Sequence, residues 1–132
     1  MFAIMFLDLD GFKKVNDSFG HDIGDVLLIH VAQLLKNAVR ETDVVARLGG
    51  DEFVVLLHDV TDEAMVASVA EKIVLSVGSP CQLEGIEISI GTSIGIAIYP
   101  RDGISREALL KVSDHAMYAA KSSGKGNYRF SV

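Results

Sequence analysis

The sequence predicts a single α+β domain in which a central mixed or antiparallel β-sheet is flanked by helices. Three observations predict this fold class. The chain has 132 residues, of which 49% are hydrophobic, and this suits one domain with a buried core. Apolar segments with helical spacing alternate with shorter apolar segments typical of strands. Two of the strand-like segments are separated only by Gly-Gly-Asp-Glu, so we expect a hairpin, which excludes an entirely parallel sheet.

The front half of the chain predicts a strand, a helix and the hairpin. Residues 2–9 are apolar at nearly every position, which indicates a central strand covered by helices on both faces. Apolar residues recur at helical spacing over residues 22–39, and Asp22 suits the N-cap of that helix. The hairpin strands are predicted at Val44–Leu48 and Phe53–Leu57.

The next segments predict a second helix and a long strand. Thr61 is expected to cap a helix that ends at residues 78–80, where Gly-Ser-Pro stops the helical pattern. Residues 87–99 alternate between isoleucines on one face and mostly small residues on the other. This pattern predicts a long strand whose small face a helix can approach closely.

The end of the chain predicts a third helix and a last strand. Ser105 is expected to open a helix that continues to about Ser122, with Gly124 as its C′ residue. Residues 127–132 are predicted to form a final strand. The predicted order is therefore β-α-β-β-α-β-α-β.

Charge and composition exclude several classes of function. The formal net charge of −6 argues against a basic nucleic-acid-binding surface. No apolar run approaches the ~18 residues that cross a bilayer. The single cysteine, Cys81, cannot form an internal disulfide, and this fits a reduced, cytosolic compartment. Residues 1–63 hold 12 of the 18 acids, whereas residues 121–132 hold three bases and no acid. Solvated surface charge is enough to explain this uneven distribution of acids and bases. The alternative is a metal site in the acidic half and a phosphate site near the basic end.

Carboxylates stand at two turns of the predicted sheet. Asp8 and Asp10 end the first strand, and Asp51 and Glu52 lie at the hairpin tip. If the hairpin pairs beside the first strand, Asp8 and Asp51 come close enough to share Mg²⁺ ions, which prefer oxygen ligands. Taken singly, each motif is better explained as a polar strand end or a glycine turn.

Other polar residues have both a binding and a structural explanation. Lys13 would suit a phosphate contact but also a solvated loop. Lys121 and Lys125 bracket the end of the last helix, where a positive charge is favourable in any protein. Asn16 and Asp25 have the donors and acceptors to read a base edge, although an acid in the first turn of a helix is common. His21 fits a ligand contact or a turn equally well.

Arg40 and Asp43 follow the first predicted helix as Arg-Glu-Thr-Asp. An exposed ion pair at a helix end explains them simply and would contribute only ~0–1 kcal/mol. The alternative is an arginine that binds an anion, with an acceptor beside it.

The combination of these motifs is more specific than its parts. In order and spacing it closely resembles the GGDEF domain of bacterial diguanylate cyclases, from about Phe2 to Phe130. The resemblance is carried by five segments: FLDLDGFKKVND at residues 6–17, FGHDIGD at 19–25, RLGGDEF at 47–53, SIGIA at 93–97 and AMYAAK at 116–121.

The resemblance implies a nucleotidyl cyclase or polymerase palm-like fold and a reaction. Members of the family join two GTP molecules into cyclic di-GMP and release two pyrophosphates with Mg²⁺ (or Mn²⁺). One domain holds one GTP, so a homodimer is required for catalysis.

The resemblance also implies roles for individual residues. Asp8, the Leu9 carbonyl, Asp51 and Glu52 match the metal site. Asp51, as general base, and the neighbouring Glu52 also match the catalytic residues. By position, Lys13 belongs to the catalytic and phosphate-binding groups. Substrate-binding positions are Gly11, Phe12, Asn16, His21, Asp25, Gly49, Gly50, Lys121 and Lys125. Arg40 and Asp43 match an inhibitory site for the product.

An alternative function and the domain's context follow from the same resemblance. Related domains that have lost catalysis bind GTP or cyclic di-GMP as regulatory modules. Family members usually begin with a helical segment before the first strand, so we expect residues 1–132 to be the GGDEF domain without that segment. We expect an upstream sensor domain in the parent protein and a cytoplasmic location. The resemblance does not decide whether a phosphodiesterase domain follows or whether the parent protein is tethered to a membrane.

Overall fold

The computed structural model describes residues 1–131, and every structural statement below concerns that part of the chain. Seven strands and four helices follow one another in this order: β1 (Phe2–Asp10), α1 (Phe12–Phe19), α2 (His21–Ala38), β2 (Val44–Gly49), β3 (Glu52–Leu57), α3 (Glu63–Gly78), β4 (Cys81–Leu83), β5 (Ile86–Ile88), β6 (Gly91–Tyr99), α4 (Arg106–Ser122) and β7 (Tyr128–Phe130).

The five-stranded sheet has the order β2-β3-β1-β6-β7. Neighbouring strands are antiparallel except β6 and β7, which are parallel. The predicted mixed sheet with a β2–β3 hairpin is therefore confirmed. The strands β4 and β5 form a separate two-stranded sheet.

The first strand is the centre of the sheet, as its apolar sequence predicts. Residues 3–7 of β1 are buried. On one face Met5 and Leu7 join the main core, which includes residues of α2 and α3. On the other face Ile4 packs with Ala97 of β6 and Leu109 of α4. Because both faces are covered, β1 holds its carboxyl end, and the acids there, in a fixed place.

The small face of β6 admits α4 at very short range. A Cβ atom added to Gly95 would lie 1.9 Å from the backbone oxygen of Ser113 and 2.2 Å from the backbone nitrogen of Met117. Ile94 and Ile96 point the other way into the main core. The alternation of large and small residues in this strand thus predicts correctly where a helix packs.

Several predicted boundaries are wrong. Residues 12–19 form the helix α1, where no helix was predicted. Phe12 and Val15 of this helix are buried in the main core. The helix α2 begins at His21 with Gly20 as N-cap, so Asp22 lies in the first turn. The N-cap of α3 is Asp62 rather than Thr61, because the Asp62 carboxylate accepts a hydrogen bond from the Met65 N–H group.

The long strand predicted over residues 87–99 is split in two. Its first part belongs to the β4–β5 hairpin, which turns at Glu84 and Gly85, both with positive φ. The second part, β6, begins at Gly91. At the chain's end, β7 covers residues 128–130 of the predicted 127–132; residue 132 lies outside the described residues. Ser105 caps α4 as predicted.

The edge strand β2 is mostly exposed on the sheet face that carries α4. Val44 on the edge strand β2 is 47% exposed and pairs with Leu56 of β3, which pairs in turn with Ile4. Cross-strand partners point to the same face of a sheet. An apolar strip therefore continues from the α4 side of β1 to the sheet's edge. Within the described residues, no helix is long and apolar enough to cross a membrane.

Candidate active site

The pairing of β1 with the hairpin brings three carboxylates to one end of the sheet. Asp8 is directly opposite Glu52 in the antiparallel register. The Leu9 N–H group donates a hydrogen bond of 3.1 Å to the backbone oxygen of Asp51. Asp51 is thereby fixed at the hairpin tip beside the end of β1. The predicted proximity of Asp8 and Asp51 is found in the structure, whereas their roles stay predictions.

The proximity of these acids changes their ionisation. Burial, a hydrogen bond with Asp8 and the charge of Asp8 together raise the pKa of Asp51 to about 6. Burial and the charges of Asp8 and Asp114 also raise the pKa of Glu52. Like charges held together in this way favour either a shared proton or a bound cation.

A lysine from α4 supplies part of the compensating charge. The ammonium nitrogen of Lys121 lies 2.9 Å from Oδ2 of Asp8 and 3.7 Å from Oδ1 of Asp10. Burial works against the charge of Lys121, but the hydrogen bond to Asp8 and the nearby carboxylates outweigh it and raise the pKa of the lysine. Lys121 therefore stays protonated and reaches the site from the opposite end of the sequence.

The donor atoms at this site suit a hard divalent cation. Oδ1 of Asp8 is buried and has no hydrogen-bond partner, and burial together with the neighbouring Asp8 raises the pKa of Asp51. Among residues 1–131, no group of three or more His, Cys, Asp or Glu side chains is arranged to hold a metal ion. An ion on Asp8 and Asp51 would therefore take its other ligands from backbone oxygen such as the Leu9 carbonyl, phosphate or water, as Mg²⁺ commonly does.

The helix α1 begins next to the acids and offers a second kind of binding group. Gly11 caps it with φ 90°, a left-handed conformation, and no side chain accepts from its first N–H groups. Free N–H groups at a helix N-terminus favour a phosphate. Phe12 is buried and anchors the turn, whereas Lys13 is exposed. Lys13 thus lies in the first turn of a helix rather than in a loop.

The helices α1 and α2 meet where a base-reading site is predicted. A Cβ atom on Gly24 would lie 1.8 Å from Oδ1 of Asn16, so the missing side chain of Gly24 makes room for this amide. The Asn16 oxygen is buried and has no hydrogen-bond partner in the described structure. Asp25 follows Gly24 and is exposed, as is His21. An amide acceptor and a carboxylate are therefore available at one helix–helix contact.

Replacing Gly24 with alanine tests this contact. The new methyl group would displace the end of the Asn16 side chain, which can rotate, rather than backbone. We expect little change in thermal stability, because alanine also raises helix propensity by about 1 kcal/mol. If the Asn16 amide reads a nucleotide base, as the family resemblance implies, nucleotide affinity should fall by about tenfold, the value of one well-placed polar contact. Calorimetry with a guanine nucleotide and thermal unfolding measure the two effects. Gly78→Ala is the matched control, because nothing lies within 4 Å of its added Cβ.

Arg40 and Asp43 form a separate, well-ordered cluster. The side chain of Asp43 is 2% exposed and accepts hydrogen bonds of 2.9 Å from the backbone N–H groups of Arg40 and His58. Burial opposes its ionisation, but these hydrogen bonds and the Arg40 guanidinium hold the pKa of Asp43 below its usual value. Asp43 is thus a structural anchor, and it orients the arginine.

The Arg40 side chain faces a cleft at the end of α2. Its guanidinium is 49% exposed, lies 3.4 Å from Asp43 and also donates to the backbone oxygen of His58. The cleft has a volume of about 600 Å³ and is lined by Lys36, Val39, Arg40, Glu41, Asp43, Val44 and Val45. None of the carboxylates at the end of β1 lines this cleft. An anion bound in the cleft would therefore occupy a site separate from the acid pair.

The remaining predicted residues lie at the hairpin tip and after the last helix. Gly49 and Gly50 form the hairpin tip with φ of 154° and 51°, and Lys125 is exposed after α4. Neither Gly24 nor Asp114 was predicted from the sequence as a site residue. A glycine inside a helical pattern signals a close approach, so Gly24 was detectable. The position of Asp114 near Glu52 depends on how α4 packs, which no local pattern states.

Comparison with known proteins supports a family assignment. The family described as "Diguanylate cyclase, GGDEF domain" matches residues 1–127. The chain is 50% identical over 129 residues to the bifunctional diguanylate cyclase/cyclic di-GMP phosphodiesterase MucR of Pseudomonas aeruginosa. The aligned region covers 98% of this chain and 19% of MucR. It is 42% identical to diguanylate cyclase TpbB of the same organism, over 96% of this chain and 29% of TpbB. The chain thus spans less than a third of either relative.

Solved structures have the same fold. The crystal structure of the GGDEF domain of TpbB superposes with a TM-score of 0.96 at 41% identity, covering 99% of this chain and 82% of that one. The GGDEF domain of DgcB from Caulobacter crescentus, solved in complex with c-di-GMP, superposes with a TM-score of 0.88 at 27% identity over 98% of this chain and 77% of that one.

Proposed function

The chain belongs to the GGDEF domain family of diguanylate cyclases, and from this we propose that it joins two GTP molecules into cyclic di-GMP with release of two pyrophosphates. The observation that carries the proposal is the pair formed by Asp8 and Asp51, with the Asp51 pKa raised to about 6 and Lys121 alongside. Two carboxylates held this close repel each other when both are ionised, which is unfavourable in free energy unless a cation binds between them and the substrate phosphates. A silent structural domain would have no need of it.

The proposed reaction is two phosphoryl transfers of the same kind. The 3′-hydroxyl oxygen of one GTP forms a bond to the α-phosphorus of the other, and the bond from that phosphorus to the β-phosphate oxygen breaks. Pyrophosphate leaves, and Asp51 accepts the hydroxyl proton. A divalent cation on Asp8 and Asp51 would supply charge neutralisation for the triphosphate. Because one domain offers one acid pair, we propose that two copies face each other.

Other residues bind and orient the nucleotide in this proposal. The ammonium groups of Lys13, Lys121 and Lys125 and the N-terminus of α1 hold phosphate oxygens. Asn16 and Asp25 receive the guanine edge. In phosphoryl transfer the protein forms no covalent bond, so these groups act by binding the nucleotide, while Asp8 and Asp51 act on the reacting atoms.

The test is product formation. Concentrated protein is incubated with GTP and Mg²⁺, and cyclic di-GMP is detected by mass spectrometry; ATP and a chelator serve as controls. Product from GTP alone, lost with the chelator, supports the proposal. No product at any protein concentration, together with GTP binding, favours the alternative of a catalytically silent GTP or cyclic di-GMP binding module. The separate Arg40 cleft is the observation that favours that alternative.

We further propose that this cleft binds the product and restrains the enzyme. Arg40→Ala is expected to weaken cyclic di-GMP binding by about tenfold or more, the usual loss for an arginine–phosphate contact. GTP binding should be unchanged. Calorimetry with each nucleotide measures both, and the exposed Arg106→Ala is the matched control. Unchanged product affinity in Arg40→Ala would refute the assignment. Arg40→Lys, which keeps the charge but loses the bidentate fork, should give an intermediate value.

The raised pKa of Asp51 predicts a dependence of stability on pH. The pKa rises from 3.8 to about 6, so folding disfavours the ionised form. The contribution of Asp51 to stability is therefore present below pH 3.8 and is lost as the pH rises through about 6. We expect Mg²⁺ to raise the melting temperature at pH 7.5 much more than at pH 5. Asp51→Asn should remove most of this difference, and an equal effect of Mg²⁺ at both pH values would contradict it.

We propose that the domain acts in the cytoplasm as part of a longer protein. Its named relative MucR carries two activities, and the present chain spans a small part of that protein. A sensor domain upstream and a phosphodiesterase domain downstream are therefore the expected partners. Expression of the complete protein and measurement of both activities test this arrangement.

A further inference from the structure

Asp10, the last residue of β1, is almost completely enclosed by polar partners. Its side chain is only 9% exposed. The Ser93 hydroxyl of β6 lies 3.0 Å from both carboxylate oxygens, and the Gly126 N–H group donates to Oδ2 at 3.0 Å. The Lys121 ammonium is 3.7 Å from Oδ1. A single carboxylate thus joins β1, β6 and the loop between α4 and β7.

The loop that Asp10 holds has an unusual backbone. Gly124, Lys125 and Gly126 have φ values of 120°, 57° and 57°. Glycine adopts such angles easily, whereas a lysine does so only at a cost that other contacts must offset. One such contact is the hydrogen bond of 3.3 Å from the Lys125 N–H group to the Ala120 oxygen. Two more are the bond from the Asn127 amide to the Lys125 oxygen at 3.2 Å and the Gly126 N–H bond to Asp10.

We propose that Asp10 is a positioning residue that fixes Lys121 and Lys125 for the phosphates of the bound nucleotide. Lys125 lies within the segment that Asp10 holds. Lys121 lies in the last turn of α4 just before it, and its ammonium faces the Asp10 carboxylate. This inference rests on the proposed function, because the lysines are assigned to phosphate only there. The rival role for Asp10 is that of a metal ligand. Both its oxygens already have hydrogen-bond partners, whereas Oδ1 of Asp8 has none.

The proposal separates a hydrogen-bond effect from a charge effect. Asp10→Ala removes the acceptor of the Gly126 N–H group. Asp10→Asn keeps an oxygen acceptor of the same size but removes the charge. If Asp10 acts by positioning, alanine should raise the KM for GTP by about tenfold while kcat changes by less than about threefold, since phosphate contacts act in ground and transition state alike. Asparagine should recover most of the KM. The exposed Asp59→Asn is the matched control.

A second readout needs no turnover. Hydrogen exchange of the peptide covering residues 123–127 is compared in the parent and the variants without nucleotide. We expect faster exchange in Asp10→Ala and nearly parental exchange in Asp10→Asn, because a hydrogen-bonded amide is protected. The Mg²⁺ concentration for half-maximal activity should be the same in all three proteins. A metal ligand would instead shift that concentration in both variants.

The outcomes are distinct. Parental KM and parental exchange in Asp10→Ala overturn the positioning role, as does a collapse of kcat with a raised Mg²⁺ requirement. Absence of product from the parent would refute the proposed function. The exchange result would then test only whether Asp10 holds the loop through Gly126. If Asp10→Ala does not fold, Asp10→Ser replaces it, because the shorter serine side chain is polar but does not reach the Gly126 N–H group. Parental KM and exchange in Asp10→Ser would then overturn the proposal.

Discussion

Replacing Asp51 with alanine is expected to lower the rate of cyclic di-GMP formation by about a thousandfold or more. The carboxylate serves twice in the proposed reaction, as a ligand of the cation and as the acceptor of the hydroxyl proton. General-base groups alone contribute about 10²–10⁴-fold, and loss of a cation ligand adds to this. Asp51→Ala should also relieve the repulsion at Asp8, so the variant should fold at least as well as the parent.

The measurement compares initial rates of product formation at saturating GTP and Mg²⁺. Asp59→Ala is the matched control, because Asp59 is exposed and lies outside the acid pair. Cyclic di-GMP binding at Arg40 should be unchanged in Asp51→Ala, which separates loss of chemistry from loss of fold. A variant that keeps more than about a tenth of the parental rate would rule out Asp51 as the general base.

Replacing Gly95 with alanine is expected to produce the largest loss of stability. The added Cβ atom would meet backbone atoms of Ser113 and Met117 at 1.9 and 2.2 Å, and backbone cannot rotate away. The helix α4 must therefore move off the sheet. Overpacking of this kind typically costs about 1–3 kcal/mol and occasionally more, and two backbone clashes place Gly95→Ala at the upper end.

The same change should reduce activity in the molecules that still fold, because α4 carries Lys121 to Asp8. Urea unfolding gives the stability, and Gly91→Ala on the same strand is the matched control. A Cβ atom on Gly91 would have its nearest neighbour at 3.6 Å, an ordinary contact distance, so only a small change is expected. Equal stability of the Gly95 and Gly91 variants would contradict the close approach of α4.

Local patterns were sufficient to predict most of the fold. The Gly-Gly turn between two apolar segments predicted the β2–β3 hairpin, and Ser105 predicted the start of α4, because caps and turns depend on neighbouring residues. The helix α1 was missed since its eight residues bury only Phe12 and Val15, too few for a periodic pattern. Short helices are stabilised by tertiary packing, which a local pattern does not contain.

The same limit applies to the candidate site. The proximity of Asp8 and Asp51 followed from antiparallel pairing of β1 with the hairpin. The resemblance to a known family suggested the roles of Asn16 and Lys121. The contact of Asp10 with Gly126 joins residues 116 positions apart. It depends on the parallel pairing of β6 with β7, for which the sequence gives no signal.

The open apolar strip on β2 and β3 has a consequence for how this protein behaves in solution. An edge strand with apolar side chains on its open face is a surface for non-specific self-association. The proposed catalysis also requires two copies to meet, so turnover and clustering both increase with protein concentration. Light scattering recorded alongside each rate distinguishes them. Non-ionic detergent at low concentration should disperse clusters held by the strip and leave the proposed catalytic pairs in place.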